Sequence, residues 1–122
     1  MNILEHSRPY LEAALEYSGG THLLEDVVDM LVSGRGQLWP GKNCAAVTEI
    51  IAYPRKKVLH CFLAGGDMDE IISMLEDAKA WGRAQGCTGF TIAGRKGWKR
   101  VLADHGFTET LTVLEGPIGP AL

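Results

Sequence analysis

The first third of the chain carries two runs of apolar residues at helical spacing. The first run predicts a helix that begins near the capping residue Ser7, has Pro9 in its first turn and ends at Gly19-Gly20. The second predicts a helix capped by Thr21 and stopped by Gly34. The apolar stripes of the two helices are Leu11, Ala14 and Leu15, and Leu24, Val27, Val28 and Leu31.

Apolar and β-branched runs then replace the helical spacing and predict strands. A short strand at 37–39 is followed by two longer strands at 44–53 and 56–64. Pro54-Arg55 between them suits a tight turn, so the two runs predict an antiparallel hairpin. If the turn has two residues, Glu49 lies directly opposite His60.

Helices and strands alternate in the rest of the chain. An amphipathic helix starts at Asp67 or Asp69 and ends at Gly86, with an apolar stripe of Met68, Ile71, Ile72, Leu75, Ala78 and Gly82. A strand at 88–93, a helix at 96–105 and an edge strand at 107–114 follow. A strand, a helix and a second strand over 56–93 predict a crossover. The predicted fold class is therefore α/β (α+β), with a mixed central sheet.

Composition is that of a globular protein. The chain has 122 residues, 46% of them hydrophobic and 22% charged, which predicts a single domain over 1–122. We expect a cytoplasmic protein, because no apolar run is long enough for a membrane span and the N-terminus lacks the features of a signal peptide. The net charge of −3 argues against binding nucleic acid by bulk charge.

Cysteine and histidine spacing predicts no metal site. Cys44, Cys61 and Cys87 form no CxxC pair and stand in apolar surroundings, which is typical of buried core thiols. The spacing of histidines and carboxylates matches neither a zinc nor an iron site.

The order of elements resembles the GNAT acyltransferase fold: two helices, a hairpin, a glycine turn, an amphipathic helix, a strand and a short helix leading to a Gly-Phe pair. The similar stretches are VTEIIAYPRKKVLHCFLAGGDMDEI and AKAWGRAQGCTGFTIAGRKGWKRVLADHGFTE. The similarity covers roughly 44–115 and is closest to short GNAT-like proteins of tailed phages and prophages. It implies transfer of an acyl group from acetyl-CoA to an amine.

The resemblance also assigns site residues. Glu49 is the expected general base and His60 its partner, with the carboxylate raising the pKa of the imidazole. The cofactor would lie on Leu63, Ala64, Gly65, Gly66, Asp67, Met68, Asp69 and Arg95. The chain departs from the family at two points. Two aspartates stand where the pyrophosphate would bind, and Leu102 stands near the usual position of a catalytic tyrosine.

An alternative interpretation is a GNAT-like module without catalysis that binds nucleic acid or a protein. A basic cluster supports it: Arg95, Lys96, Lys99 and Arg100. The edge after 107 also suggests a homodimer, since an exposed strand edge can pair with a second copy.

Overall fold

Four strands form one mixed sheet with helices on both faces. The computed structural model describes residues 2–119. In chain order the elements are α1 (Ile3–Leu15), α2 (Leu24–Val32), β1 (Gly36–Pro40), β2 (Cys44–Ala52), β3 (Lys57–Gly66), α3 (Met68–Ser73), α4 (Leu75–Ala84), β4 (Gly89–Ile92) and α5 (Lys96–Ala103). No helix within this part of the chain is long and apolar enough to cross a bilayer.

The strand order in the sheet is β1-β2-β3-β4. The first three strands are antiparallel, whereas β3 and β4 are parallel and joined by the crossover through α3 and α4. The hairpin prediction is confirmed, because Glu49 pairs with His60. The register shifts between Val47 and Thr48, where Phe62 is the extra residue of a bulge on β3.

Side chains that alternate along the strands bury two separate layers of core. On one face, α1 and α2 cover Ala45, Val47 and Leu63 with Leu11 and Val27. On the other face, α3, α4 and α5 cover Cys44 and Leu59 with Ile71, Leu75, Ala78, Trp98 and Leu102. The predicted α/β class is confirmed.

The predicted caps of the first two helices are wrong. Asn2 caps α1 by accepting the Glu5 N–H, so Pro9 lies inside the helix and Ser7 is buried in it. The N-cap of α2 is Leu23, whose N–H donates to the Asp26 carboxylate. An acidic side chain reaching back from the third helical position replaces the expected threonine cap.

The second half differs from prediction in two places. The amphipathic helix begins at the predicted Asp67 cap but is divided at Met74 into α3 and α4. The predicted edge strand at 107–114 is absent, since residues 107–119 contain no strand. Strands require a neighbour for their backbone groups, and this segment finds none among the described residues.

Candidate active site

A cleft opens where β3 and β4 separate. Their pairing ends at Cys61 and Ile92, and the last backbone bond runs from the Ala93 N–H to the Cys61 carbonyl at 3.0 Å. Beyond this point β3 continues to Gly66 while β4 turns away. The cleft between them is lined by Ala14, Tyr17, Ser18, Cys61, Phe62, Leu63, Ala64, Ile92, Ala93, Gly94, Arg95 and Trp98. The parting of two parallel strands thus leaves one side of the β3 backbone facing open space.

The predicted cofactor residues divide into two groups. Leu63, Ala64 and Arg95 line the cleft. The remaining five lie past it, at the end of β3 and the start of α3, and are Gly65, Gly66, Asp67, Met68 and Asp69.

Tyr17 and Arg95 meet at this cleft from opposite sides. The Arg95 guanidinium lies 4.0 Å from the centroid of the Tyr17 ring, a cation–π contact. Arg95 immediately precedes α5, where its side chain makes no capping bond. Tyr17 was missed in the sequence, because it follows the last turn of α1 and belongs to no periodic pattern.

Glu49 and His60 lie beside the cleft on its α1 side. Val47, two residues before Glu49, packs under α1 and α2, so Glu49 and its partner His60 point to that same face. His60 directly precedes Cys61 on β3. Its Nδ1 is 2.8 Å from the Thr91 hydroxyl of β4. Thr91 thus holds the imidazole in place. His60 and Thr91 are the second-to-last residue pair before β3 and β4 separate.

The expected rise in the pKa of His60 is wrong, although Glu49 acts on it in the expected direction. Burial lowers the pKa of His60 from 6.5, and the opposing attraction of Glu49 is the smaller influence. Among the ion pairs of residues 2–119, none joins Glu49 to His60. Thr91 orients the imidazole instead, and His60 is neutral at pH 7.

Cys61 contributes an unreactive thiol to the cleft. Burial raises its pKa to about 11. Because the thiolate is the nucleophilic form, Cys61 is protonated and inert at neutral pH. All three cysteines are buried and unpaired, which confirms the core-thiol prediction.

The two glycines at the end of β3 begin the turn into α3 (65–69), which we call the glycine loop, and both are required by packing. A Cβ on Gly65 would lie 2.3 Å from the Tyr10 carbonyl oxygen of α1. Gly66 has a φ of +105° and would place a Cβ 2.3 Å from the Asn43 carbonyl oxygen. Both glycines therefore let neighbouring backbone approach closely.

Polar groups around this loop are already engaged. The Asp67 N–H donates to the Asn43 carbonyl at 2.9 Å, and the Asp67 carboxylate accepts the Glu70 N–H. Glu70 in turn accepts the N–H groups of Asn43 at 2.6 Å and Lys42 at 3.1 Å. These bonds lower the pKa of Glu70. The start of α3 is thereby tied to the loop between β1 and β2.

The basic cluster lies on the solvent face of α5. Lys96, Lys99 and Arg100 are exposed, and Lys99 pairs with Glu109 at 3.2 Å. Leu102, near the position where the family has a tyrosine, is buried under the sheet. No group of three metal-ligating side chains occurs within residues 2–119.

A second hollow lies between the sheet and the helices α3 to α5. Its lining is largely apolar and includes Ile71, Phe90 and Thr48. The Thr48 hydroxyl donates to Gln37 Oε1 at 2.8 Å and accepts from Trp39 Nε1 at 2.9 Å. Because that hydroxyl already has both a donor and an acceptor partner, it offers no free hydrogen-bonding group to a ligand. The hollow is therefore part of the packed core.

Comparison with known proteins reveals likeness in structure but not in sequence. No protein-family model and no curated protein matches the chain. The crystal structure of a probable acetyltransferase matches with a TM-score of 0.67 and 13% identity over 98% of this chain and 97% of its own. An acetyltransferase of Trypanosoma brucei gives 0.60 and 15% over 90% and 94%. A tetramutant protein of Bacillus halodurans gives 0.63 and 12% over 88% and 86%.

The chain shares the fold of these solved acetyltransferase structures. The likeness extends over nearly the full length of these neighbours. At such low identity the likeness establishes the fold. The chemistry has to be argued from the cleft.

Proposed function

We propose that the protein transfers an acyl group, acetyl in the simplest case, from a coenzyme A thioester to an amine. The observation that carries the proposal is the cleft between β3 and β4. The backbone of 62–64 borders it beyond the last β3–β4 bond. An extended amide-containing ligand such as the pantetheine arm of coenzyme A can bond to such a backbone as an added strand does. The acetyltransferase neighbours support the same assignment.

Arg95 is the proposed contact for the phosphates. It is the basic residue in the lining of the cleft, and its charge is held on the Tyr17 ring without a carboxylate partner among the described ion pairs. A guanidinium binds phosphate oxygens in a fork geometry. The loop at Gly65–Asp69 would be a poorer phosphate site because Asp67 and Asp69 repel an anion.

His60 is the proposed general base, in preference to Glu49. It lies on the strand that borders the cleft, Thr91 orients it, and its lowered pKa keeps it neutral at pH 7. When Nδ1 donates to the Thr91 hydroxyl, Nε2 holds the lone pair that accepts a proton. Glu49 lies on β2, one strand further from the cleft, and its negative charge favours the protonated form of His60.

The reaction fits direct transfer. The amine nitrogen attacks the thioester carbonyl carbon, the carbon–sulfur bond breaks, and the amine proton passes to His60 while the sulfur leaves as thiolate. A covalent intermediate on Cys61 is disfavoured, since burial raises the pKa of that thiol to about 11. A phage or prophage origin stays a prediction of the sequence resemblance.

A blocked cleft tests the proposal. Ala93 is exposed and lines the cleft, so Ala93→Trp would fill it without disturbing the core. We expect calorimetric binding of acetyl-CoA to the native chain and at least a tenfold loss in A93W. Ala84→Trp, on the exposed end of α4, is the matched control and should bind like the native chain. Absence of acetyl-CoA binding by the native chain, or equal binding by both variants, would contradict the proposal.

The same titration separates the alternative function. The exposed face of α5 carries Lys96, Lys99 and Arg100, so a nucleic-acid module would bind a DNA duplex with strong salt dependence. We expect no such binding at physiological salt. Salt-dependent DNA binding that A93W leaves intact, together with no acetyl-CoA binding, would favour the alternative.

A further inference from the structure

The face of the sheet that carries His60 extends as far as the hairpin turn. Tyr53 and Lys56 close this turn, since the Tyr53 N–H donates to the Lys56 carbonyl at 2.7 Å. Side chains alternate along a strand, so every second residue of β2, β3 and β4 shares the face with His60. Those that matter here, which we call the His60 face, are Glu49, Lys56, Val58, His60, Gly89 and Thr91. The helices α1 and α2 pack on the other end of β2 and β3, so the His60 face extends past them.

Lys56 lies across this face towards β4. Its Cε is 3.1 Å and its Nζ 3.6 Å from the point that a Cβ on Gly89 would occupy, and Val58 Cγ1 is 3.3 Å from the same point. Because Gly89 carries no side chain, the ammonium of Lys56 lies above the strand there. Gly89 precedes Thr91, which is bonded to His60, by two residues. At 3.3 Å per residue the ammonium is therefore about 7 Å along β4 from the His60–Thr91 pair.

The charge of Lys56 has no carboxylate partner among the ion pairs of residues 2–119. Its neighbours in sequence, Arg55 and Lys57, are also basic. Lys57 points to the other face of the sheet, where its Nζ donates to the Gln85 carbonyl at 2.6 Å. Lys56 is thus the ammonium that this positively charged turn presents on the side of His60.

The His60 face carries opposite charges at its two ends. Glu49, opposite His60 on β2, is a half-buried carboxylate that forms no ion pair with the described residues. A negative group therefore lies beside the proposed base, and a positive group lies two residue steps away towards the turn. A ligand with both charges fits this order, with its ammonium near Glu49 and its carboxylate at Lys56.

We propose that the acyl acceptor is a small zwitterion whose amine is bound at His60 and whose carboxylate is bound by Lys56. This inference rests on the proposed acyl transfer and names its acceptor class. An extended chain spans roughly 3.3–3.6 Å per residue, so a separation of about 7 Å matches the amine and the carboxylate of a dipeptide. Dipeptides are therefore the expected acceptors.

The carboxylate of the acceptor serves for binding and is unchanged by the reaction. The ammonium loses one proton to solvent before its nitrogen attacks the thioester carbon. It loses a second proton to His60 as the carbon–sulfur bond breaks and the sulfur leaves as thiolate. Lys56 therefore acts on acceptor affinity and takes no part in the transfer itself.

Steady-state kinetics with a matched pair of acceptors test the inference. Alanyl-alanine and its C-terminal amide present the same amine, but only the first has a carboxylate. With the native chain and acetyl-CoA, release of the coenzyme A thiol should give a KM about fivefold lower for alanyl-alanine than for the amide, the upper end of what an exposed ion pair contributes. Equal KM values for the two acceptors would overturn the inference.

A pair of variants assigns this difference to Lys56. Lys56→Met removes the ammonium and keeps an apolar stem beside Val58. It should raise KM for alanyl-alanine about fivefold, with kcat unchanged and with no effect on the amide. Lys57→Met removes the same charge from the opposite face and should behave like the native chain. If K57M raises KM as much as K56M, or if K56M affects both acceptors equally, Lys56 does not bind the carboxylate.

Failure of this inference is distinguishable from failure of acyl transfer. A native chain that binds acetyl-CoA but does not acylate alanyl-alanine overturns the acceptor class and leaves the proposed function in place. A native chain that binds no acetyl-CoA overturns the proposed function. Nuclear magnetic resonance tests the surface without catalysis: alanyl-alanine should shift the backbone amide signals of Gly89 and Thr91 in the native chain and not in K56M. Signals that stay unshifted in the native chain overturn the inference.

Discussion

β3 ends in two adjoining regions of different character, the cleft beside 62–64 and the glycine loop at 65–69. Beside the cleft, the backbone of β3 passes the point where β4 turns away and borders open space. In the glycine loop, Gly65 is pressed against the Tyr10 carbonyl and the Asp67 N–H is bonded to Asn43. The sequence resemblance treated both regions as one cofactor site.

The difference shows how a glycine pair can imitate a ligand loop. Glycine permits close approach of backbone to a phosphate, and equally of backbone to backbone. A gap of 2.3 Å between a would-be Cβ and a carbonyl oxygen of α1 identifies the second case at Gly65. Binding capacity is therefore expected where backbone groups lack partners, which is the cleft.

The largest expected effect is the loss of stability caused by a substitution in the glycine loop. Gly65→Ala would force its methyl group into the backbone of α1, which a flexible side chain cannot relieve. We expect a loss of about 3 kcal/mol in the free energy of unfolding, by analogy with overpacked cores. Urea denaturation monitored by circular dichroism measures this free energy of unfolding.

Gly97 supplies the control for that substitution. It lies inside α5 with nothing within 4 Å of a would-be Cβ. Gly97→Ala should therefore raise the free energy of unfolding by roughly 0.5–1 kcal/mol through helix propensity. If G65A instead kept full stability and lost acetyl-CoA binding, the loop would be a phosphate site and the comparison would fail.

Local sequence determined the hairpin well. Pro54-Arg55 fixes a short turn, and a fixed turn sets the register that brings Glu49 opposite His60. The order of helices and strands followed from periodicity for the same reason. Features that depend on one or two neighbouring residues are the ones that sequence patterns convey.

Features that depend on distant contacts escaped prediction. Asn2 and Ser7 are both local capping signals for α1, and the fold uses Asn2 while Ser7 is buried inside the helix. Tyr17 joins the cleft only because α1 crosses β3, and Glu70 binds a loop 27 residues away. Residues 107–114 alternate as in a strand, but they pair with no strand among the described residues, so the predicted edge strand is wrong.

A smaller effect, on the rate of acyl transfer, is expected from a substitution beside the cleft. His60→Gln should lower kcat/KM for acyl transfer by about a hundredfold, the usual contribution of a general base. In the native chain kcat/KM should rise with pH and reach its plateau with a midpoint below pH 6.5. The reason is that burial lowers the pKa of His60 from its ordinary value of 6.5. Removing the attraction of Glu49 lowers that pKa further, so Glu49→Gln should move the rise to lower pH.

The stability of the native chain provides a readout without substrate. Because the folded pKa of His60 is lowered, the unfolded chain binds its proton first as pH falls through 6.5. Stability is therefore lost between that pH and the folded pKa, and H60Q should lose less of it over this window. Identical stability curves and identical kcat/KM profiles for both chains would remove His60 from the site.

The smallest effect is expected from Glu70, whose carboxylate bonds the start of α3 to the loop between β1 and β2. Glu70→Gln keeps the shape of the side chain and removes the charge that accepts the Asn43 and Lys42 N–H groups. These bonds lower the pKa of Glu70 below 4.5, so its stabilising contribution is present above pH 4.5 and is lost as pH falls through the folded value. We expect E70Q to be slightly less stable at pH 7, equal to the native chain in strong acid, and unchanged in acetyl-CoA affinity. Urea denaturation at both pH values and calorimetry measure this. A loss of affinity at unchanged stability would mean that the loop carboxylates act on the ligand, and the separation between loop and cleft would no longer hold.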